Sequence, residues 1–192
     1  MKFSWGAAIR PKAGQSVSGD AYVILPFADN HLLAAVIDGL GGGEAAAEAA
    51  QRAVSVLKRQ PTLELTELMH QADRALAGSR GAVMALLRLD ARDRSAEFVG
   101  VGNIGVQVYS DLLIKPISKN GIVGYRLPQL LRMTYTYNSG DIFVLYSDGI
   151  SSRFTTEQSP DLYQPPQQIA DEILQRFGKD NDDATVVVIR CE

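Results

Sequence analysis

Four aspartate-containing segments carry the residue types that could do chemistry in this chain. Each places an aspartate at or near the end of a strongly apolar segment, and in two of them a glycine follows. The segments are Ser18-Gly19-Asp20, Ile37-Asp38-Gly39-Leu40-Gly41, Tyr146-Ser147-Asp148-Gly149-Ile150 and Asn181-Asp182-Asp183-Ala184-Thr185. A strand end holds a short carboxylate at the rim of a sheet, and a glycine lets the main chain bring a carbonyl oxygen to the same point. Such oxygens are the hard ligands that Mg²⁺ and Mn²⁺ prefer.

Each of these segments also has a simpler interpretation as a turn, because Asp-Gly is common in turns. Spacing alone does not show that aspartates distributed from position 20 to position 182 meet in space. Their convergence depends on the elements that lie between them.

Hydrophobic periodicity predicts those elements. A hairpin is expected from strands over 20–27 and 31–37, with its turn at Asp29-Asn30. A helix is predicted over 44–59, and a second helix follows with Thr62 as its N-cap and a buried stripe beginning at Leu65. Further strands are predicted at 82–89, 96–101, 106–117, 133–137, 142–146 and 184–190, and a third helix at 167–177.

Strands and helices are segregated along the chain rather than alternating. This order is typical of an α+β fold in which antiparallel sheets are covered by helices. No internal repeat or linker interrupts the pattern, so residues 1–192 are predicted to form a single domain.

Composition excludes several classes of function. The chain has 19 Lys+Arg against 22 Asp+Glu, with no basic stripe, which argues against a nucleic-acid partner or a membrane-surface patch. Its one cysteine, Cys191, excludes an intrachain disulfide and a multi-thiolate zinc site. No apolar segment reaches the roughly 18 residues of a membrane span, and the first residues do not resemble a signal peptide, so we expect a cytoplasmic protein.

Two other patterns are weaker candidates for a site. Residues 100–105 fit the dinucleotide pattern GxGxxG, but a strand rather than a helix is predicted after them, so a hairpin turn is the better interpretation. His31 and His70 are the only histidines, and both are interpreted as structural or surface residues. A histidine-based zinc enzyme or a serine hydrolase is therefore not expected.

The motifs SGD, DGLGGG, GVGN, LYSDGI and DDATVVVIR occur together and in this order. In this they resemble bacterial PPM-type (protein phosphatase 2C-like) serine/threonine phosphatases of the SpoIIE subgroup, over nearly the whole chain. The resemblance implies two antiparallel β-sheets sandwiched between helices. It also implies a protein-serine/threonine phosphatase with two Mn²⁺ or Mg²⁺ ions, which would activate a water molecule to attack phosphorus without a protein nucleophile.

The resemblance implies a role for each matching residue. The implied metal ligands are Asp20, Asp38, Gly39 through its carbonyl, Asp148 and Asp182. Asp38 would bridge the two ions, and Asp38 and Asp148 would be the catalytic residues. Asp183 matches a neighbouring position that is not a ligand. Many relatives have histidine where this chain has Gly42, which leaves the general acid unassigned, and neither Arg10 nor Lys12 is a convincing phosphate clamp.

The implied partners are phosphorylated STAS-domain proteins of a bacterial stressosome, on which a monomeric phosphatase would reset the stress response and damp sigma-factor activation. One alternative is a related phosphatase that acts on an anti-anti-sigma factor. Another is a pseudophosphatase that binds a phosphoprotein without hydrolysing it.

Overall fold

A computed structural model describes residues 2–192 as two antiparallel β-sheets and three α-helices. The strands are β1 (Phe3–Arg10), β2 (Asp20–Phe27), β3 (His31–Gly39), β4 (Ala82–Asp90), β5 (Ser95–Val101), β6 (Gly105–Tyr109), β7 (Met133–Thr136), β8 (Ile142–Tyr146) and β9 (Ala184–Cys191). The helices are α1 (Gly43–Arg59), α2 (Leu65–Leu76) and α3 (Pro166–Phe177), and a 3₁₀ turn spans Ser152–Thr155.

The strands form two sheets that pack face to face. Sheet A has the order β1-β9-β8-β6, and sheet B has the order β2-β3-β4-β5-β7. One apolar core lies between them and includes Leu87 of sheet B and Phe143 of sheet A. A second core joins sheet B to α1 and α2, and a third joins sheet A to α3. The layers therefore run helix, sheet, sheet, helix, which confirms the predicted α+β fold.

Burial on both faces explains why the central strands are almost continuously apolar. In β3, Leu33 and the alternate residues after it face the helices, while Leu32, Ala34 and Val36 face the other sheet. All of these side chains are fully buried. A strand with two covered faces cannot show the alternating polar pattern of a half-exposed strand.

The predicted hairpin, the three predicted helices and most of the predicted strands are confirmed. The helix-capping prediction is wrong, because α2 begins at Leu65 with Glu64 at its N-cap position, leaving Thr62 in the preceding loop. The strand predicted over 106–117 ends at Tyr109. There Ser110 Oγ accepts a hydrogen bond from the Leu112 main-chain N–H at 3.0 Å, which turns the chain.

The hairpin turn predicted within residues 100–105, with its turn signal at Gly102-Asn103, is also wrong. The strand before it, β5, belongs to sheet B, whereas the strand after it, β6, belongs to sheet A. The connection therefore crosses from one sheet to the other. None of the helices among residues 2–192 combines the length and the apolar character needed to cross a bilayer.

Strand β1 was not among the predicted elements, and it closes sheet A by pairing with β9. The start of α3 lies directly over it: the Gln167 side-chain amide donates to the Ala7 carbonyl at 2.9 Å. The same side chain accepts from the Ala7 main-chain N–H at 3.2 Å. Gly6 permits this approach, because a Cβ at that position would overlap with the backbone of Gln167.

We predict that Gly6→Ala destabilises the protein, since the added methyl group must push α3 away from β1. The expected loss is about 1–3 kcal/mol in the free energy of unfolding, which urea denaturation would measure. Ser4→Ala on the same strand is the matched control and should stay within about 0.5 kcal/mol of the wild type. Equal stability of the two variants would contradict the proposed close packing.

Candidate active site

Three of the four predicted metal-binding aspartates line one cleft of about 420 Å³. The lining residues are Lys12, Gln15, Asp38, Gly39, Leu40, Gly41, Gly42, Asn103, Asp148, Asn181, Asp182 and Asp183. The fourth aspartate, Asp20, is buried and lies opposite Asp38 in the register of β2 and β3. The structure therefore brings the four aspartate segments together, as the sequence analysis required.

The two sheets each contribute half of the aspartates. Asp20 is the first residue of β2, and Asp38 is near the end of β3, so both lie at one end of sheet B. Asp148 follows the last residues of β8, and Asp182 precedes the start of β9 in sheet A. Both pairs lie at the same end of the two-sheet stack, where the cleft opens.

Ser147 connects the two halves. Its buried hydroxyl donates a hydrogen bond to Asp20 Oδ2 at 2.6 Å and accepts one from the Thr185 main-chain N–H at 2.9 Å. Its own main-chain N–H donates to the Thr185 carbonyl at 3.0 Å. One serine therefore fixes Asp20 of sheet B relative to the residues that flank Asp148 and Asp182 in sheet A.

The glycines that follow Asp38 and Asp148 have the same structural role. A Cβ at Gly39 would overlap with the Ala46 carbonyl in α1, and a Cβ at Gly149 would overlap with the Asp183 carbonyl. Neither glycine has a positive φ, so close approach of the backbone, rather than an unusual turn, requires glycine here. In both segments the glycine lets a neighbouring part of the chain pack directly against the backbone that follows the aspartate.

The aspartates of the cleft disfavour one another's charged forms. Burial raises the pKa of Asp38 to about 8, and the negative charges of Asp20 and Asp148 contribute to the same shift. Burial also raises the pKa of Asp20 to about 6, although the hydrogen bond from Ser147 opposes this shift. Cations bound in the cleft would compensate this clustered negative charge.

The carboxylate oxygens differ in how far the protein satisfies them. Asp183 accepts main-chain hydrogen bonds from Lys12 and Gly19, each at 2.8 Å, so it holds the 12–19 loop in place. Asp20 Oδ1 is buried and has no hydrogen-bond partner within residues 2–192. An unpaired buried acceptor of this kind fits a cation, because burying it without a partner is costly.

The donor set therefore suits a hard divalent cation, although the ligands are not gathered into a finished site. Among residues 2–192, no group of three or more histidine, cysteine, aspartate or glutamate side chains is arranged so that it could hold a metal ion as it stands.

Asn103 is a site residue that the sequence analysis missed. Its side-chain amide donates to Asp148 Oδ2 at 2.8 Å, which orients that carboxylate from the crossing between β5 and β6. The order of GVGN among the other motifs was the available signal. Lys179 was also missed, and its ammonium donates to the Asp148 carbonyl at 2.6 Å.

The two basic residues considered as phosphate clamps have different positions. Lys12 lines the cleft. Arg10 is not among the lining residues and forms an ion pair with Asp180 at 3.1 Å. Gly42 lies in the cleft wall just before α1, with a φ of 70°, so it contributes main chain rather than a proton donor.

Comparison with known proteins identifies a family over most of the chain. The model of the Stage II sporulation protein E (SpoIIE) family matches residues 28–192. The chain is 25% identical over 142 residues to the phosphoserine phosphatase RsbX of Bacillus subtilis (strain 168), a match that covers 73% of this chain and 71% of RsbX.

Solved structures show the same fold. A chain solved in work on the bacterial stressosome, a modular system adapted to control secondary messenger signalling, has a TM-score of 0.90 and 32% identity, covering 99% of this chain and 100% of the other. The crystal structure of RsbX in complex with magnesium has a TM-score of 0.87 and 21% identity, covering 99% of this chain and 96% of the other. The chain thus belongs to the SpoIIE family and is a PPM-type serine/threonine protein phosphatase.

Proposed function

We propose that residues 1–192 act as one catalytic domain that hydrolyses phosphoserine or phosphothreonine on STAS-domain proteins of a bacterial stressosome, and that it requires two Mn²⁺ or Mg²⁺ ions. The observation that carries the proposal is the convergence of Asp38, Asp148 and Asp182 on one cleft, above the buried Asp20. The likeness to RsbX and to a chain from stressosome work supports the choice of partner.

In this proposal some residues hold the metal ions and others orient the carboxylates of those ligands. Asp38 would bridge the two ions, with Asp20 and the Gly39 carbonyl on one of them and Asp148 and Asp182 on the other. Bound there, the ions would acidify a water molecule and balance the charge of the phosphoryl oxygens. Asn103 keeps the Asp148 carboxylate oriented, and Ser147 does the same for Asp20.

The reaction consists of attack by water oxygen on phosphorus and cleavage of the bond to the serine or threonine oxygen, giving the hydroxyl side chain and inorganic phosphate. Within residues 2–192, the cleft lining includes no histidine that could protonate the leaving oxygen, because Gly42 occupies the loop where many relatives have one. Since the cleft opens to solvent, a water molecule is the proposed proton donor.

The proposed enzyme acts as a cytoplasmic monomer with a phosphoprotein substrate, and not on nucleic acid or at a membrane. A related activity on a phosphorylated anti-anti-sigma factor is the second candidate. A pseudophosphatase is disfavoured because all four aspartates are present in the cleft region.

The direct test is Mn²⁺-dependent phosphate release from a phosphorylated STAS-domain protein, compared with a phosphorylated anti-anti-sigma factor. We predict that Asp38→Asn and Asp148→Asn each lower kcat at least about 1,000-fold, because each removes a ligand charge. Both variants should keep the wild-type circular dichroism spectrum. Asp111→Asn, an exposed residue outside the cleft, is the control and should retain full activity. Turnover of neither phosphoprotein by the wild type would refute the proposal.

As pH rises, the metal-free protein should lose stability, whereas the stabilisation that Mn²⁺ provides should increase. The raised pKa of Asp38, from 3.8 to about 8, means that the folded metal-free protein binds more protons than the unfolded chain between these values. Its free energy of unfolding therefore falls as pH rises from about 4 to about 8. Saturating Mn²⁺ favours the ionised carboxylates, so its stabilising effect should grow over the same range.

Thermal unfolding of wild type and Asp38→Asn at several pH values would measure this effect. Asparagine imitates the protonated carboxyl group, so the metal-free variant should lose less stability than the wild type as pH rises. Its stabilisation by Mn²⁺ should also be smaller. If the stability of the two proteins changed with pH in the same way, this would argue against a raised pKa of Asp38.

Ser147→Ala should weaken metal binding, because Asp20 loses the hydrogen bond that orients it. We expect a 10–100-fold rise in the Kd for Mn²⁺, an order of magnitude typical of lost supporting contacts in metal sites, measured by isothermal titration calorimetry. The matched control is Ser110→Ala, because Ser110 Oγ donates to Asp141 Oδ2 at 2.7 Å beside the opposite end of β8. A similar change of Mn²⁺ affinity in both variants would indicate general destabilisation.

A further inference from the structure

Arg80 lies beside the cleft in a position set by the pairing of β3 with β4. The ladder pairs Gly39 with Ala82, and the Leu40 main-chain N–H donates to the Gly81 carbonyl at 3.1 Å, which continues the pairing by one residue. Gly41 therefore lies opposite Arg80. A Cβ on Gly41 would overlap with Arg80 Nη1, so the guanidinium occupies the space that a side chain at 41 would take.

The guanidinium of Arg80 makes no polar contact that stabilises the fold of residues 2–192. The residue is exposed, and within residues 2–192 its side chain forms no hydrogen bond or ion pair. By contrast, Arg74 at the end of α2 is paired with Glu67 at 2.9 Å. Arg80 thus presents free N–H donors at Gly41, which is itself part of the cleft wall.

The balance of charges in the cleft indicates that the N–H donors of Arg80 could bind a phosphate group. Four aspartate carboxylates would neutralise two divalent cations, which leaves the charge of a phosphate monoester dianion to be compensated. Lys12 is the one basic side chain among the cleft-lining residues that the structure describes. A guanidinium beside Gly41, in the cleft wall, supplies a second positive charge with paired donors that match two phosphate oxygens.

We propose that Arg80 binds the phosphoryl group of the substrate across Gly41, a role that rests on the proposed phosphatase function. Arg80 is a substrate-binding residue in this proposal: it holds the phosphate over the aspartates and takes no part in proton transfer. Gly41 has a φ of 91° and no side chain, which leaves room for the guanidinium beside it.

The test combines kinetics with direct phosphate binding. For Arg80→Ala we expect the KM for a phosphoprotein and for 4-nitrophenyl phosphate to rise about 10-fold or more, with kcat within about threefold, since a charge-assisted contact made throughout binding is lost. The Kd of inorganic phosphate for the Mn²⁺-loaded protein, measured by calorimetry, should rise by a similar factor. Arg80→Lys keeps the charge without the paired donors, so its KM and its Kd for phosphate should lie between those of the wild type and of Arg80→Ala.

Arg92→Ala is the matched control, because Arg92 is an exposed arginine in the turn at the other end of β4. It should leave all three constants unchanged. A KM that rises for the phosphoprotein alone would show that Arg80 contacts the protein substrate and would overturn the inference. Unchanged phosphate affinity in Arg80→Ala would overturn it while leaving the phosphatase function intact. A wild type that neither binds phosphate nor hydrolyses esters with Mn²⁺ would refute both.

Discussion

The hydrogen bond between Ser147 and Asp20 joins two sheets whose aspartates must meet with short side chains. Packed sheets lie about 10 Å apart, a distance that carboxylates from the two layers cannot span unless the strand ends converge. Ser147 enforces this convergence, because it follows β8 directly and binds Asp20 at the start of β2. Two further hydrogen bonds join Ser147 to the main chain of Thr185, so the beginning of β9 belongs to the same cluster. The geometry of the cleft therefore depends on inter-sheet contacts as much as on the strands themselves.

Asp183 has a different physical role from Asp20 and Asp38. Asp183 has both oxygens occupied by main-chain donors and serves the fold. Asp20 and Asp38 are buried or half-buried, and their raised pKa values reflect the cost of placing charge there. Asp20 Oδ1 in particular forms no hydrogen bond within residues 2–192. The fold retains these carboxylates at a cost to its own stability, which is a common property of functional sites.

Local patterns predicted much of this structure, because the hairpin and the helices depend on periodicities within short segments. Strand β1 escaped prediction since its sequence, FSWGAAIR, alternates weakly and its partner β9 begins at residue 184. The crossing at Gly102-Asn103 was mistaken for a hairpin because turn residues do not reveal which sheet the next strand joins. The aspartates were selected by their strand-end positions and by the resemblance of their motifs. The supporting contacts of Asn103 and Ser147, and the placement of Arg80, depend on pairings that no local pattern encodes.

The strand order of sheet A also has a consequence for biosynthesis. Sheet B is complete once residue 136 has left the ribosome, and its covering helices precede that point. Sheet A has β9 between β1 and β8, so β1 must wait, unpaired, until residues 184–191 are made. The same late segment carries Thr185, the partner of Ser147, and begins two residues after Asp182. The nascent chain can therefore complete sheet B early, while the cleft between the two sheets is completed only after β9 has been made.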